Sequence, residues 1–172
     1  KSYSGEAQFP PTLERDLDKI DRSIEANRVL LIRSAGSLIV PDIRLRQAEL
    51  YVEKSKLLYF KALEQRKDGG RDGGVTAPES IYYKERAIEQ YQKILAGYPD
   101  YQANDKILFF LAHQYKELGE DKPMLQVYER LFTRHASSAY VVEALMIVGN
   151  YYLDREDVEQ AEKHFQDLLR RT

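Results

Sequence analysis

Apolar residues in the second half of the chain form two sets that coincide when one is moved along by 37 positions. The first set is Leu108, Leu111, Ala112, Tyr115, Met124 and Tyr128; the second is Leu145, Val148, Gly149, Tyr152, Ala161 and Phe165. Part of an earlier copy stands at Ala87, Tyr91 and Pro99. Steps of three, one and three put the first four members of each set on one helical face. The pattern predicts helical hairpins over 104–134 and 138–171. Ala112 and Gly149 are small enough to let a second helix come close, as are Ala161 and Ala87 on the other helix. Tyr128, Phe165 and Tyr91 then fill the space between hairpins. Gly119 suits a left-handed residue after the first helix. Asp121 can cap the next helix with Pro123 in its first turn, and Asp157-x-x-Gln160 reads as a capping box. A fixed period in this range marks a stack of like supersecondary units.

Upstream the pattern is less regular. Residues 1–11 lack periodicity and carry Pro10-Pro11, which predicts an irregular lead-in. Thr12 can cap a helix running to about Arg33. Its stripe of Leu13, Leu17, Ile20, Ile24 and Leu31 is heptad-like, with Asn27 at the missing place. Two readings stay open: a dimerising coiled coil, or a core helix packed on the next hairpin. Arg33–Ser37 aligns with Arg134–Ser138 and Tyr51 with Tyr152, so 12–33 reads as half a repeat. A long hairpin over 42–97 follows. At about 1.5 Å per residue its first helix, 42–67, reaches close to 40 Å. The segment 68–76 contains four glycines among alternating charges, which predicts a loop. Thr76-x-x-Glu79 is a capping box for the returning helix.

Leu108-x2-Leu111-Ala112-x2-Tyr115 with Met124-x3-Tyr128, and Leu145-x2-Val148-Gly149-x2-Tyr152 with Ala161-x3-Phe165, resemble the tetratricopeptide repeat. Leu108 and Leu145 replace that family's tryptophan, Met124 replaces an alanine, and the period is 37 rather than about 34. The resemblance spans roughly 42–171. It implies an all-α, right-handed α-solenoid of antiparallel helix hairpins, about three and a half repeats with the first complete hairpin elongated. The run Ala48–Lys56 is similar to cell-envelope tetratricopeptide proteins of delta-group bacteria. That favours a bacterial periplasmic or envelope location, with the cytoplasm as the alternative.

Composition narrows the function. The chain has 172 residues, 43% hydrophobic and 31% charged, and no apolar run long enough for a membrane span. A net charge of −2 argues against a nucleic-acid surface. Without cysteine there are neither disulfides nor thiolate metal sites. The start at Lys1 and the stop as a hairpin closes predict a processed chain or a fragment of a longer array. His113, His135 and His164 have no histidine at i+3 or i+4, and no nucleophile elbow or metal motif occurs. The glycines at 69–74 lack the preceding strand and following Lys-Ser or Lys-Thr of a phosphate cradle. The reading is therefore non-catalytic, with no cofactor and no metal.

In the tetratricopeptide family the first helix of each repeat lines a concave ligand groove. Carried onto this chain, the resemblance implies a partner surface of Glu49, Lys106, Phe109, His113, Lys116, Met146, Asn150 and Leu153. Asn150 matches one position of the set that grips a peptide carboxylate in some members. Phe110 and Ile147 stand where polar or basic groups would be needed, so that clamp is absent. The expectation is a scaffold binding another protein or peptide segment within a larger assembly. Self-assembly into a homo-oligomer, through the first helix or the open repeat ends, is the alternative.

Overall fold

The computed structural model describes residues 11–67 and 77–171. The expected lead-in up to residue 10, the loop at 68–76 and the capping role of Thr76 lie outside them. Among the described residues the chain is all helix, without a strand. The elements are α1 (Pro11–Arg33), α2 (Val40–Lys67), α3 (Pro78–Gly97), α4 (Asn104–Glu117), α5 (Asp121–Arg134), α6 (Tyr140–Leu153) and α7 (Val158–Arg171). They fall into two compact units, Lys1–Tyr98 and Pro99–Thr172.

In the first unit α2 packs against both α1 and α3. The α1 stripe is spent inside the chain: Leu17 and Ile20 are buried, and Asn27 donates to Ile43 O at 3.0 Å and Gln47 Oε1 at 2.6 Å. The helix already includes Pro11, so Thr12 lies within it rather than capping it. Proline suits a first turn because its missing N–H has no intrahelical acceptor there. The same reason places the start of α2 at Val40, two residues before the expected Asp42, with Pro41 in the opening turn. Ala77 precedes α3 without a side-chain cap, and Pro78 opens that helix. Ala87, Tyr91 and Ile94 of α3 are buried, and Ser80 Oγ donates to Ser55 O at 2.7 Å.

One buried cation joins all three helices. Lys54 of α2 is 9% exposed; its Nζ bonds Asp21 of α1 and, at 2.9 Å, the Tyr83 hydroxyl of α3. Burial pulls its pKa down, but the hydrogen bonds to Asp21 and Tyr83 outweigh that and leave it raised.

In the second unit α4 packs on α5 and α6 on α7. Leu108, Leu111, Ala112, Met124 and Tyr128 are buried, as are Leu145, Val148 and Ala161. Gly149 lies so close to α7 that a Cβ there would stand 2.5 Å from the Phe165 ring. Two turns recur. The Gly119 N–H donates to Lys116 O and the Glu120 N–H to Tyr115 O, both orphan carbonyls at the end of α4. Ser138 N–H donates to His135 O and Val141 N–H to Ser138 O; Ser37 N–H donates to Ser34 O and Val40 N–H to Ser37 O in the same way. Asp157 caps α7 as expected, accepting from the Gln160 N–H at 3.2 Å. Asp121 does not cap α5. It is the first helical residue, and its carboxylate turns to Arg155 and the Tyr151 hydroxyl.

Candidate functional site

The clearest uncovered surface among the expected partner residues is a row on α6. Met146, Asn150 and Leu153 step by four and three and share one face. Met146 is 47% and Leu153 50% exposed, with Asn150 exposed between them. Folding uses the opposite face: two residues turn a helix by about 200°, so Val148, which is buried, points away from Met146. The Asn150 amide has no side-chain partner within the described residues, leaving a donor and acceptor beside two apolar groups.

The corresponding face of α4 differs. Phe109 was expected in the groove, and that assignment is corrected: it is 5% exposed. Tyr140, the first residue of α6, stacks on it at 5.1 Å between ring centroids, and Tyr128 meets it edge-on. Position 109 is therefore covered by the following helix, whereas Met146, 37 residues on, is not. His113 is half-buried, with Nε2 3.1 Å from Glu117. Lys116 is exposed, and Lys106 sets its Nζ 6.0 Å from the Phe110 ring centroid. Glu49 belongs to the first unit, half-buried and 3.7 Å from Arg46. Burial, and then the Glu49 charge, pushes the Tyr91 hydroxyl above its ordinary range.

A second feature has no counterpart in the sequence reading. A cavity of about 380 Å³ opens between α5 and α7. Leu125, Gln126, Glu129 and Phe132 of α5 form one wall, Val148 and Tyr152 of α6 the floor, and His164 of α7 the other wall. The aromatic groups touch: His164 stacks on Tyr152 at 5.5 Å and meets Phe132 at 6.2 Å. The His164 Nδ1 lies 2.7 Å from Gln160 O, which fixes Nδ1 as the protonated nitrogen of the neutral ring. An arginine bridges the helices at each end. Arg155, in the turn before α7, pairs with Asp121 at the start of α5; Arg171 donates to Ala136 O, just past the end of α5, at 2.6 Å. The only hint in the sequence is Phe132, an aromatic one turn beyond the buried Tyr128; its counterpart 37 residues on, Leu169, is 73% exposed.

Among the described residues no cluster of three or more His, Cys, Asp or Glu side chains could hold a metal, and no helix is long and apolar enough to cross a membrane. No protein-family model matches the chain, and no curated protein matches it.

Proposed function

We propose that the chain is a non-catalytic scaffold of the tetratricopeptide type, a right-handed solenoid of antiparallel helix pairs that holds a segment of another protein. The observation that carries this reading is the α6 row of Met146, Asn150 and Leu153. Its apolar side chains Met146 and Leu153 are exposed among the described residues, on the face of α6 away from the buried Val148. An apolar centre with polar neighbours suits a partner's helix or extended apolar stretch. Lys106 and Lys116 of α4 would add charge to the rim, and His113 a polar group. Glu49 is assigned to the equivalent surface of the first unit. The repeat reading draws support from the turn hydrogen bonds that recur around Gly119 and Glu156 and around Ser37 and Ser138. Membership of a larger assembly, and an envelope or periplasmic location, rest on the resemblance of Ala48–Lys56.

Photo-crosslinking tests the reading. A benzophenone side chain at Met146 or Leu153 should yield one discrete adduct in the native source, and the same group at exposed Arg130 on α5 should not. Adducts of equal yield from all three positions would remove the special standing of the row.

Self-assembly has one observation in its favour. Leu30, Ile32, Leu38 and Ile39 are exposed around the turn from α1 to α2, Leu38 at 94%. In its coiled-coil form the reading loses ground, because Leu17 and Ile20 of the stripe are buried. A molar mass by light scattering that stays at the monomer value across concentration removes it.

A further inference from the structure

The cavity between α5 and α7 has the chemistry of a receptor for a cationic side chain. Its walls are aromatic at Phe132, Tyr152 and His164, and the one carboxylate in its lining is that of Glu129. Glu129 has no ion-pair or side-chain hydrogen-bond partner among the described residues. A carboxylate beside ring faces, with an apolar floor, is a poor place for a neutral aliphatic group or for an anion. A cation gains from both elements, through the ring quadrupole and through the opposite charge.

The chain already fills one such arrangement with its own arginine. Elsewhere on α5 and α6 the Arg155 guanidinium lies 3.8 Å over the Tyr151 ring and pairs with Asp121. Asp121 and Glu129 are both on α5, and Tyr151 and Tyr152 are adjacent on α6. The cavity also brings rings and a carboxylate together, at Tyr152, Phe132 and Glu129, and no guanidinium of the described residues lines it. A cavity of about 380 Å³ is near the small end for ligand sites, which suits one long side chain rather than a helix.

We propose that this cavity receives an arginine side chain of a partner protein, its stem on Val148 and Leu125 and its guanidinium between the aromatic wall and the Glu129 carboxylate. Guanidinium fits better than ammonium because it is planar, stacks on rings and can meet a carboxylate through two N–H groups. The site lies on the side of α6 opposite Met146, so it stands whether or not the Met146 row binds anything.

The test uses the whole chain, labelled with nitrogen-15, and three capped pentapeptides: Ala-Ala-Arg-Ala-Ala and the same sequence with citrulline or norleucine at the centre. The arginine peptide should give saturable amide shifts centred on Glu129, Phe132, Tyr152 and His164. Citrulline keeps the shape without the charge and should bind at least about threefold more weakly. Glu129→Gln should shrink the difference between arginine and citrulline, leaving the part due to the rings, while circular dichroism and melting stay at the parent values, since Glu129 is exposed. Equal affinity for arginine and citrulline in the parent would overturn the proposal. So would preference for norleucine, an undiminished arginine preference in Glu129→Gln, or shifts centred elsewhere or absent at the peptide's solubility limit.

Discussion

Gly119 and Glu156 stand 37 residues apart and adopt the same left-handed backbone, with φ of 73° and 60°. Each follows the first helix of a packed pair. The Glu156 N–H donates to Leu153 O and the Asp157 N–H to Tyr152 O, which are the Gly119 and Glu120 bonds moved along by 37 positions. The turn dictates the conformation in both places, and only one has the residue that adopts it freely. For an L residue the left-handed well costs about 1–2 kcal/mol.

Glu156→Gly should therefore stabilise the protein by up to about 1 kcal/mol, the gain being reduced by the greater freedom of glycine in the unfolded chain. Gly119→Ala should destabilise it by about 1 kcal/mol, and by strain alone, because a Cβ there meets nothing within 4 Å. Urea midpoints at unchanged slope measure both, and a loss of stability in Glu156→Gly would contradict the turn equivalence.

Gly149 and Phe165 form a tight contact between α6 and α7. Gly149→Ala places a methyl 2.5 Å from the ring and should cost about 1–3 kcal/mol by overpacking. Adding Phe165→Leu should recover part of that loss. A double-mutant cycle in urea checks the coupling; strictly additive effects would show that the helices move apart freely.

Stability should fall in alkali. The Tyr91 and Tyr128 hydroxyls are held above their ordinary 10.0, Tyr91 by burial and then the Glu49 charge, Tyr128 by burial and then the Glu143 charge. Lys54 is raised above 10.5 by its Asp21 and Tyr83 bonds, net of burial. A folded pKa above the unfolded one gives stability that is complete below the unfolded value and is lost as pH rises through the folded one. Urea midpoints should hold from neutral pH to about 10 and then drop. The Tyr128 hydroxyl is buried without a hydrogen-bond partner among the described residues. Tyr128→Phe should accordingly match or exceed parent stability at neutral pH and show a shallower alkaline loss. A steeper loss in that variant would contradict the assignment.

What could be read from the sequence was whatever one helix decides by itself. The steps linking Leu108 to Tyr115 and Leu145 to Tyr152 specify a face, and Gly119 and Asp157 announce their turns. The start of α2 is less legible, because Pro41 reads as a breaker but sits in the opening turn of the helix. The rest depended on which side chain arrives from elsewhere. Phe109 looks like a groove residue until Tyr140 is laid on it. Asp121 looks like a cap until Arg155 reaches it from 34 residues away. Lys54 gives no sign of burial, since Asp21 and Tyr83 lie 33 and 29 residues off. The cavity was invisible for the same reason, being assembled from α5, α6 and α7.

The most direct measurement compares Met146→Ala with Phe109→Ala, for binding of the partner captured through Met146 and for thermal unfolding. The two positions are 37 residues apart and differ in whether a following helix covers them. Met146→Ala should weaken binding by at least about 1 kcal/mol with a melting temperature close to the parent. Phe109→Ala should lose about 3–5 kcal/mol of stability as a core truncation. Unchanged binding in Met146→Ala, or a loss of stability there as large as in Phe109→Ala, would contradict a partner surface on α6.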